Sequence, residues 1–293
     1  MSALSPSVIA AIDDLELAAR LVVEGARAGG HRSPFHGYGA EFQQHRAYRA
    51  GDDLKYVDWK LLARTDRLHT RQFRETTSMS VMLVLDASAS MAFPVEGVSK
   101  FRYASVVAAA LAYMITTQGD SVGLLAVSDG ELSYLPARGG RPHLRSLIGR
   151  IDRTSPAGRW DAAQAIARAA DLLKRRGMIL VLSDFYDDEE AVRRELRRVA
   201  HSGHDVAMLQ VIAPEERALP FGGEVELEDL ESGERRLVRT AEIASAYDSA
   251  IADFLARVRD GARRDGIDHA LLSTADPPDH ALREFLLPRR ARA

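Results

Sequence analysis

The residues of this sequence best suited to chemistry are Asp86, Ser88 and Ser90, which place one carboxylate and two hydroxyls at alternate positions of a single segment. Their oxygen atoms can turn toward one point. An all-oxygen ligand set suits a hard cation such as Mg²⁺, Mn²⁺ or Ca²⁺, with water in the remaining positions. The other interpretation is that these side chains only make turn and cap hydrogen bonds.

The elements around this segment favour the metal interpretation. Asp86 ends an apolar run that begins at residue 80, which is typical of a strand buried on both faces of a sheet. A second apolar run, residues 178–182, ends in Ser183 and Asp184. Ligands of open α/β sheets bind beyond the carboxyl ends of the strands, so Asp184 would join Asp86 if the two strands are neighbours.

Apolar strands alternate with helices over most of the chain, which predicts a doubly wound, mostly parallel α/β sheet. A polar hairpin at residues 220–239 is inserted into this alternation, and residues 7–29 form an amphipathic N-terminal helix. We therefore divide the chain into an N-terminal helix with an accessory region, residues 1–78, and an α/β domain, residues 79–288. Strands are expected at residues 80–86, 121–127, 131–135, 178–182, 205–212 and 268–272, with a further candidate at 68–73. Helices are expected at about 100–117, 142–151, 161–176, 187–201, 242–262 and 279–287.

Composition narrows the class of protein. The 293 residues include 39 Lys and Arg against 42 Asp and Glu, and this near-neutral balance gives no electrostatic case for nucleic acid or an anionic membrane as the main partner. Cysteine is absent, which excludes disulfides, thiolate metal sites and cysteine nucleophiles. No apolar run approaches the roughly 20 residues of a membrane span, and the N-terminus lacks a basic signal region. We expect a soluble, cytoplasmic protein.

Two parts of the sequence resemble known families. The segment at 86–91 and the Ser183-Asp184 strand end resemble the metal-ion-dependent adhesion site of von Willebrand factor A domains. Residues 46–64 (RAYRAGDDLKYVDWKLLAR) are similar to the signature of the bacterial "domain of unknown function 58" family, as are residues 219–221, residues 229–234 and the closing helix. This resemblance implies a von Willebrand factor A fold without catalytic activity. It also implies a partner, a MoxR-type AAA+ ATPase, with which the family is thought to act in chaperone-like or regulatory roles.

The sequence departs from the adhesion-site pattern at Trp160, which stands where the family has a threonine ligand. An indole has no oxygen and only donates N–H. Asp161 either compensates for the missing ligand or caps its helix. We therefore predict that Mg²⁺, Mn²⁺ or Ca²⁺ binds weakly or not at all.

The signature block offers a second candidate surface, made by Asp52 and Asp53 beside Arg46 and Arg64. These residues either face a partner protein or form a turn in which Asp52 accepts backbone hydrogen bonds. We favour the turn and expect Trp59 to lie in the core.

These observations predict a non-enzymatic protein-interaction module with a degenerate metal site, completed by an acidic residue of a partner protein. The alternative is a metal-dependent hydrolase or phosphatase in which Asp86 is the nucleophile or a ligand and Asp184 a second ligand. Ser88 stands where such enzymes carry a second acid, and no lysine is apparent that would stabilise a phosphorylated aspartate. A structural scaffold that binds no metal is the third possibility.

Overall fold

The computed structural model describes residues 5–28, 40–49, 52, 57–75, 79–94, 96–218 and 222–290. Its strands are β1 (Ala40–Ala47), β2 (His69–Glu75), β3 (Ser80–Asp86), β4 (Ser121–Ser128), β5 (Glu131–Arg138), β6 (Met178–Ser183), β7 (Asp205–Ile212), β8 (Glu224–Glu228), β9 (Arg235–Arg239) and β10 (Asp268–Ser273). Its helices are α1 (Pro6–Ala10), α2 (Leu15–Ala28), α3 (Trp59–Thr65), α4 (Lys100–Thr117), α5 (Arg141–Asp152), α6 (Ala162–Leu172), α7 (Glu189–His201), α8 (Pro214–Arg217), α9 (Thr240–Arg264) and α10 (Pro278–Arg290). The chain divides into a larger unit, residues 1–34 and 80–293, and a smaller unit, residues 35–79.

A six-stranded sheet in the order β10-β7-β6-β3-β4-β5 forms the centre of the larger unit. All neighbouring strands are parallel except β5, which is antiparallel to β4. The prediction of a doubly wound, mostly parallel sheet is therefore confirmed. Strands β3 and β6 pair directly, with Val84 opposite Val181, so the two aspartate-bearing strand ends are neighbours.

Helices cover both faces of the sheet. On one face, α6 and α7 pack with Met82, Val84, Ile179 and Val181 in one buried cluster. Helix α4 contacts β3, β4, β6 and β7, and nearly all of its residues are buried because α2 in turn packs on it. Burial of apolar surface on both faces is what holds such a sheet between its helix layers.

The N-terminal segment forms two helices instead of the one predicted. Asp14 separates them, because its Oδ1 accepts the N–H groups of Glu16 and Leu17 and so caps α2. The sequence-based division groups this segment with the accessory region, whereas its buried side chains, including Leu15 and Val22, lie within the unit that contains the sheet.

The inserted hairpin is formed by β8 and β9, as predicted. The strands are antiparallel, and opposite charges face each other across them, with Glu224 bound to Arg239 at 2.8 Å and Glu228 to Arg235 at 3.0 Å.

The smaller unit contains the antiparallel pair β1 and β2 together with α3. Of these elements, only β2 was expected from the sequence. The expectation that Trp59 lies in the core is wrong, because 58% of its surface is exposed. Val57 is buried in its place, and Asp58 begins α3 by accepting the N–H of Leu61.

Within the described residues, none of the helices combines the length and the apolar character that crossing a membrane requires.

His269 on β10 should make stability depend on pH. Burial, and then the positive charge of Arg259, lower the pKa of His269 to about 4. Between pH about 4 and 6.5 the folded state therefore binds fewer protons than the unfolded chain, so the free energy of unfolding falls as the pH falls through this window. We expect His269→Gln, relative to wild type, to gain on the order of 2 kcal/mol between about pH 7.5 and about pH 4.5.

Urea unfolding of both proteins at the two pH values measures this difference. His201→Gln, at an exposed position of α7, is the control for changing a histidine. A His269→Gln variant whose stability keeps a constant offset from wild type at both pH values would contradict the prediction.

Candidate functional site

Four predicted residues, Asp86, Ser88, Ser90 and Asp184, come together at the carboxyl ends of β3 and β6, and we call this set the rim. The hydroxyls of Ser88 and Ser90 are 3.1 Å apart, and Ser90 Oγ donates to Asp184 Oδ2 at 2.8 Å. Asp86 Oδ1 accepts the Ser88 N–H at 2.8 Å, and Asp86 Oδ2 accepts from Ser183 Oγ at 2.6 Å. Asp86 and Ser88 are buried, Asp184 is nearly so, and Ser90 is partly exposed.

A backbone strap at residues 157–158 holds the segment that follows Asp86. The Ala157 N–H donates to the Ala87 carbonyl at 2.9 Å, and the Ala89 N–H donates to the Gly158 carbonyl at 3.0 Å. These bonds satisfy backbone groups that a buried loop would otherwise leave unpaired, and they direct the side chains of Ser88 and Ser90 toward Asp184.

Hydrogen bonds to both the side chain and the backbone carbonyl of Asp184 hold this residue in position. Its Oδ1 accepts the Tyr186 N–H at 3.1 Å, and its carbonyl accepts from Gln210 Nε2 at 3.1 Å. The next residue, Phe185, has φ +60°, a left-handed conformation that bulky side chains rarely adopt. This turn buries the Phe185 ring in the core cluster, while the Asp184 side chain is directed to Ser90.

The structure adds a residue that the sequence reasoning missed. Lys100, the first residue of α4, is fully buried, and its Nζ donates to Asp184 Oδ2 at 2.7 Å and to Glu216 Oε1 at 2.5 Å. Nζ also lies 5.0 Å from the centre of the Tyr186 ring, within cation–π range. No lysine was apparent from the sequence for this cluster, and the structure places Lys100 against Asp184.

Glu216 belongs to the short helix α8, which follows β7. Its second oxygen, Oε2, accepts the Ala213 N–H at 2.9 Å, and its carbonyl accepts from the Tyr247 hydroxyl at 2.8 Å. Both carboxylate oxygens are thus occupied, and the side chain connects α8 to the N-terminus of α4.

The charges of this cluster act strongly on one another because water is largely excluded. Burial, together with the negative charge of Asp184, raises the pKa of Asp86 to about 7. Burial alone would lower the pKa of Lys100, but the negative charges of Asp184 and Glu216 outweigh it, so the pKa is raised and the ammonium stays charged.

One signal in the sequence points to Lys100. The N-terminus of a helix carries a partial positive charge, so a lysine at its first position is unfavourable there without nearby carboxylates. The first turn of α4 contains no acidic residue, and most of the helix that follows is apolar and buried. A cation in that setting predicts acidic partners elsewhere in the chain, although it does not say which ones.

Trp160 and Asp161 do not supply ligands to the rim. Trp160 is only 8% exposed and packs in the core cluster with Val84 and Phe185. Asp161 is the exposed N-cap of α6, and its Oδ1 accepts the Gln164 N–H at 2.8 Å.

The donor set does not fit a resident Mg²⁺ ion well. All four carboxylate oxygens of Asp86 and Asp184 already accept hydrogen bonds, and one of them holds the Lys100 ammonium. Among the described residues, no group of three or more His, Asp or Glu side chains is arranged to hold a metal ion. The same burial weighs against Asp86 as a nucleophile, because a substrate cannot reach a carboxylate that is completely covered.

A groove of about 640 Å³ lies beside the rim, and we call it the hairpin groove. Ser90 and Phe93 line one side of it, and residues of the inserted hairpin line the other. Apart from Ser90 and Phe93, the lining consists of four glutamates, three aliphatic residues and one tyrosine, namely Glu215, Glu216, Glu226, Glu228, Val225, Leu227, Leu230 and Tyr247. Oε2 of Glu215 is buried and has no hydrogen-bond partner among the described residues.

The predicted partner surface in the signature block is mostly engaged within its own unit. Arg46 Nη2 donates to both carboxylate oxygens of Asp52, at 2.8 and 2.9 Å, and Asp52 also accepts the Arg49 N–H. These bonds agree with the turn interpretation of Asp52. Arg64 is exposed in the last turn of α3, and Asp53 lies outside the described residues.

Comparison with known proteins identifies the family of this chain. The family model described as "Protein of unknown function DUF58" matches residues 44–256. The uncharacterized protein Rv1480 of Mycobacterium tuberculosis is 34% identical over 263 residues, which cover 89% of this chain and 80% of that protein.

Solved structures resemble about 70% of the chain. An aerotolerance-related membrane protein from Bacteroides fragilis has a TM-score of 0.50 and 19% identity, and the match covers 73% of this chain and 100% of that one. The von Willebrand factor A domain of SpRpn10 has a TM-score of 0.43 and 14% identity over 70% of this chain and 94% of that one. The predicted doubly wound, mostly parallel α/β fold is confirmed by the sheet itself, and the chain belongs to the DUF58 family of proteins of unknown function.

Proposed function

We propose that this protein is a non-enzymatic interaction module whose hairpin groove and rim receive a segment of a protein partner. The observation that carries the proposal is the groove itself, in which the half-buried Leu227 and the exposed Leu230 lie next to a hydrogen-bonded rim. Apolar surface that adjoins polar groups is typical of protein–protein contact sites.

The charge of the groove indicates the chemistry of the partner segment. Of the described residues, four glutamates and no lysine or arginine line the groove. Three of the glutamates already contact Lys100 or Arg235, whereas Glu215 has a buried oxygen without a hydrogen-bond partner among the described residues. A segment that combines apolar side chains with lysine or arginine would complement this lining.

The partner in this proposal is a MoxR-type AAA+ ATPase. Support for it comes from membership in the family, with which such ATPases are associated. The ATPase would supply the energy for chaperone-like remodelling or regulation, and this chain would supply recognition. A cytoplasmic location, where ATP is available, is part of the same proposal.

Divalent metal has a minor part in this proposal, because the rim binds Mg²⁺, Mn²⁺ or Ca²⁺ weakly or not at all. The alternative, in which an acidic residue of the partner completes the coordination of a metal ion, stays a prediction. It requires that removal of metal with EDTA abolishes binding of the partner.

Capture of the co-expressed ATPase by the tagged full-length chain tests the proposal. We expect Leu227→Ser, in the groove, to reduce capture roughly tenfold, since we assign Leu227 to the centre of the contact, where truncating a dominant residue costs about 1.4 kcal/mol or more. Leu237→Ser is the matched control, because Leu237 lies in the same hairpin, is 71% exposed and does not line the groove.

Equal capture by both variants and by wild type would exclude the groove as the contact surface. The rim is tested separately with the double variant Asp86→Ala, Ser88→Ala, after circular dichroism has shown that it is folded. If that variant captures the ATPase as wild type does, the rim is not part of the contact.

A further inference from the structure

The rim gathers buried negative charge that its hydroxyl and backbone N–H donors do not neutralise, because these donors are uncharged. Asp86 and Asp184 are 0% and 3% exposed, and Glu216 is bonded to the same cluster. Carboxylates removed from water must be compensated by a cation or by protonation. In a complete adhesion site of this fold, a divalent ion fulfils this need.

Here the chain supplies a cation of its own at the same place. Lys100 Nζ and Ser90 Oγ both donate to a single atom, Asp184 Oδ2, at 2.7 and 2.8 Å. The ammonium and the Ser90 hydroxyl therefore share one acceptor atom, and Ser90 is in turn hydrogen-bonded to Ser88. A divalent ion bound to these hydroxyls would lie next to a buried positive charge in a medium that screens it poorly.

The position of Lys100 also indicates that its charge is the reason for its burial. Its side chain is completely covered, although lysine is almost never fully buried unless it is paired. It begins α4, where the helix dipole disfavours a cation, and Ser99 caps the same turn by accepting the Arg102 N–H. The contacts with Asp184 and Glu216 therefore have to outweigh both costs.

We propose that the Lys100 ammonium is the resident cation of the rim, in the place of a divalent metal ion, and that removing it converts the rim into a divalent-cation site. The wild-type protein would then need no metal for its rim to be formed. The freed carboxylates of Asp184 and Glu216, with the hydroxyls of Ser88 and Ser90, would be an oxygen ligand set of the kind that Mn²⁺ and Mg²⁺ accept.

Thermal unfolding of the full-length chain in EDTA and in about 5 mM Mn²⁺ tests the proposal, because a ligand that binds only the folded state raises Tm. We expect the wild-type Tm to change by less than about 1 °C and that of Lys100→Ala to rise by about 5 °C or more. The matched control is Lys100→Ala combined with Asp184→Asn, which should lose the response to Mn²⁺. Mg²⁺ is expected to act in the same direction as Mn²⁺.

Each outcome of the unfolding experiment either supports or overturns the assignment of Lys100 as the resident cation. A rise in the wild-type Tm equal to that of Lys100→Ala would overturn the proposal. A folded Lys100→Ala protein whose Tm does not change with Mn²⁺ would overturn it as well. Should Lys100→Ala be soluble only when it is expressed and purified with Mn²⁺, the proposal is supported. If it folds under neither condition, wild-type titration calorimetry with Mn²⁺ decides, with heat of binding at micromolar affinity counting against a resident lysine and its absence counting in favour.

A consequence for the partner rests on the proposed function. If the rim carries its own cation, capture of the ATPase by the wild-type protein should be the same in EDTA and in Mg²⁺. Loss of capture in EDTA, measured without nucleotide because EDTA also removes the Mg²⁺ that an ATPase binds with ATP, would overturn the cation assignment. Absence of capture in both conditions, together with the expected Tm responses, would refute the proposed partner and leave the assignment of Lys100 intact.

Discussion

Replacing Lys100 by methionine is expected to lower the free energy of unfolding by about 3–5 kcal/mol, the usual cost of removing one partner from a buried ion pair. Methionine fills a similar volume, so most of the loss comes from charge. Asp184 and Glu216 would stay buried without the ammonium that now lies 2.7 and 2.5 Å from them. Denaturant unfolding at about pH 8 measures the effect.

Two further variants separate charge from packing. Lys174→Met, at an exposed position, should change stability by less than about 0.5 kcal/mol. Adding Asp184→Asn and Glu216→Gln to Lys100→Met should restore much of the loss, because the unpaired charges are then gone. A Lys100→Met protein within about 1 kcal/mol of wild type would show that the buried carboxylates do not depend on Lys100.

The second large effect is expected at Gly158, whose carbonyl holds the segment that carries the two rim serines. Gly158 has φ +64°, and a Cβ added there would lie 2.3 Å from Asp129 Oδ1 and 2.5 Å from Asp129 Cα. Gly158→Ala therefore combines a strained backbone with a steric clash against backbone atoms. We expect it to destabilise the fold by about 2–4 kcal/mol.

Gly130→Ala is the matched control, because Gly130 also has a positive φ, +74°, but an added Cβ would meet no atom within 4 Å. The difference between the two variants isolates the contact with Asp129. Hydrogen exchange at the Ala89 amide, which donates to the Gly158 carbonyl, reports whether the strap is displaced. Equal stability loss and equal exchange in both variants would mean that only the backbone conformation matters.

The sheet could be predicted because its signals are local. Runs such as residues 80–86 and 178–183 are apolar throughout, since both of their faces are covered by helices, and each helix shows its own periodicity. The predictions that were wrong concern segments without such local signals. The smaller unit has short elements without a clear period, so β1 and α3 were not expected and Trp59 was assigned to the core.

The sequence also predicted half of the site. Asp86 and Asp184 end two buried strands, and the general rule for open α/β sheets places such residues on one edge. The sequence also showed that Trp160 replaces the threonine ligand of the adhesion-site pattern, because this chain can be compared with that pattern residue by residue. What those comparisons predict is a metal site with a missing ligand.

Only the tertiary structure shows that the cluster contains a cation of its own. Lys100 is 84 residues from Asp184 and 116 residues from Glu216 in the chain, and no local pattern connects them. Their contact depends on which strands are neighbours and on which face α4 packs, and both are decided by burial of the whole core. The sequence by itself determined that carboxylates and hydroxyls follow the carboxyl ends of two buried strands, and the folded chain decided that these strands are neighbours and that a lysine ammonium lies among the side chains.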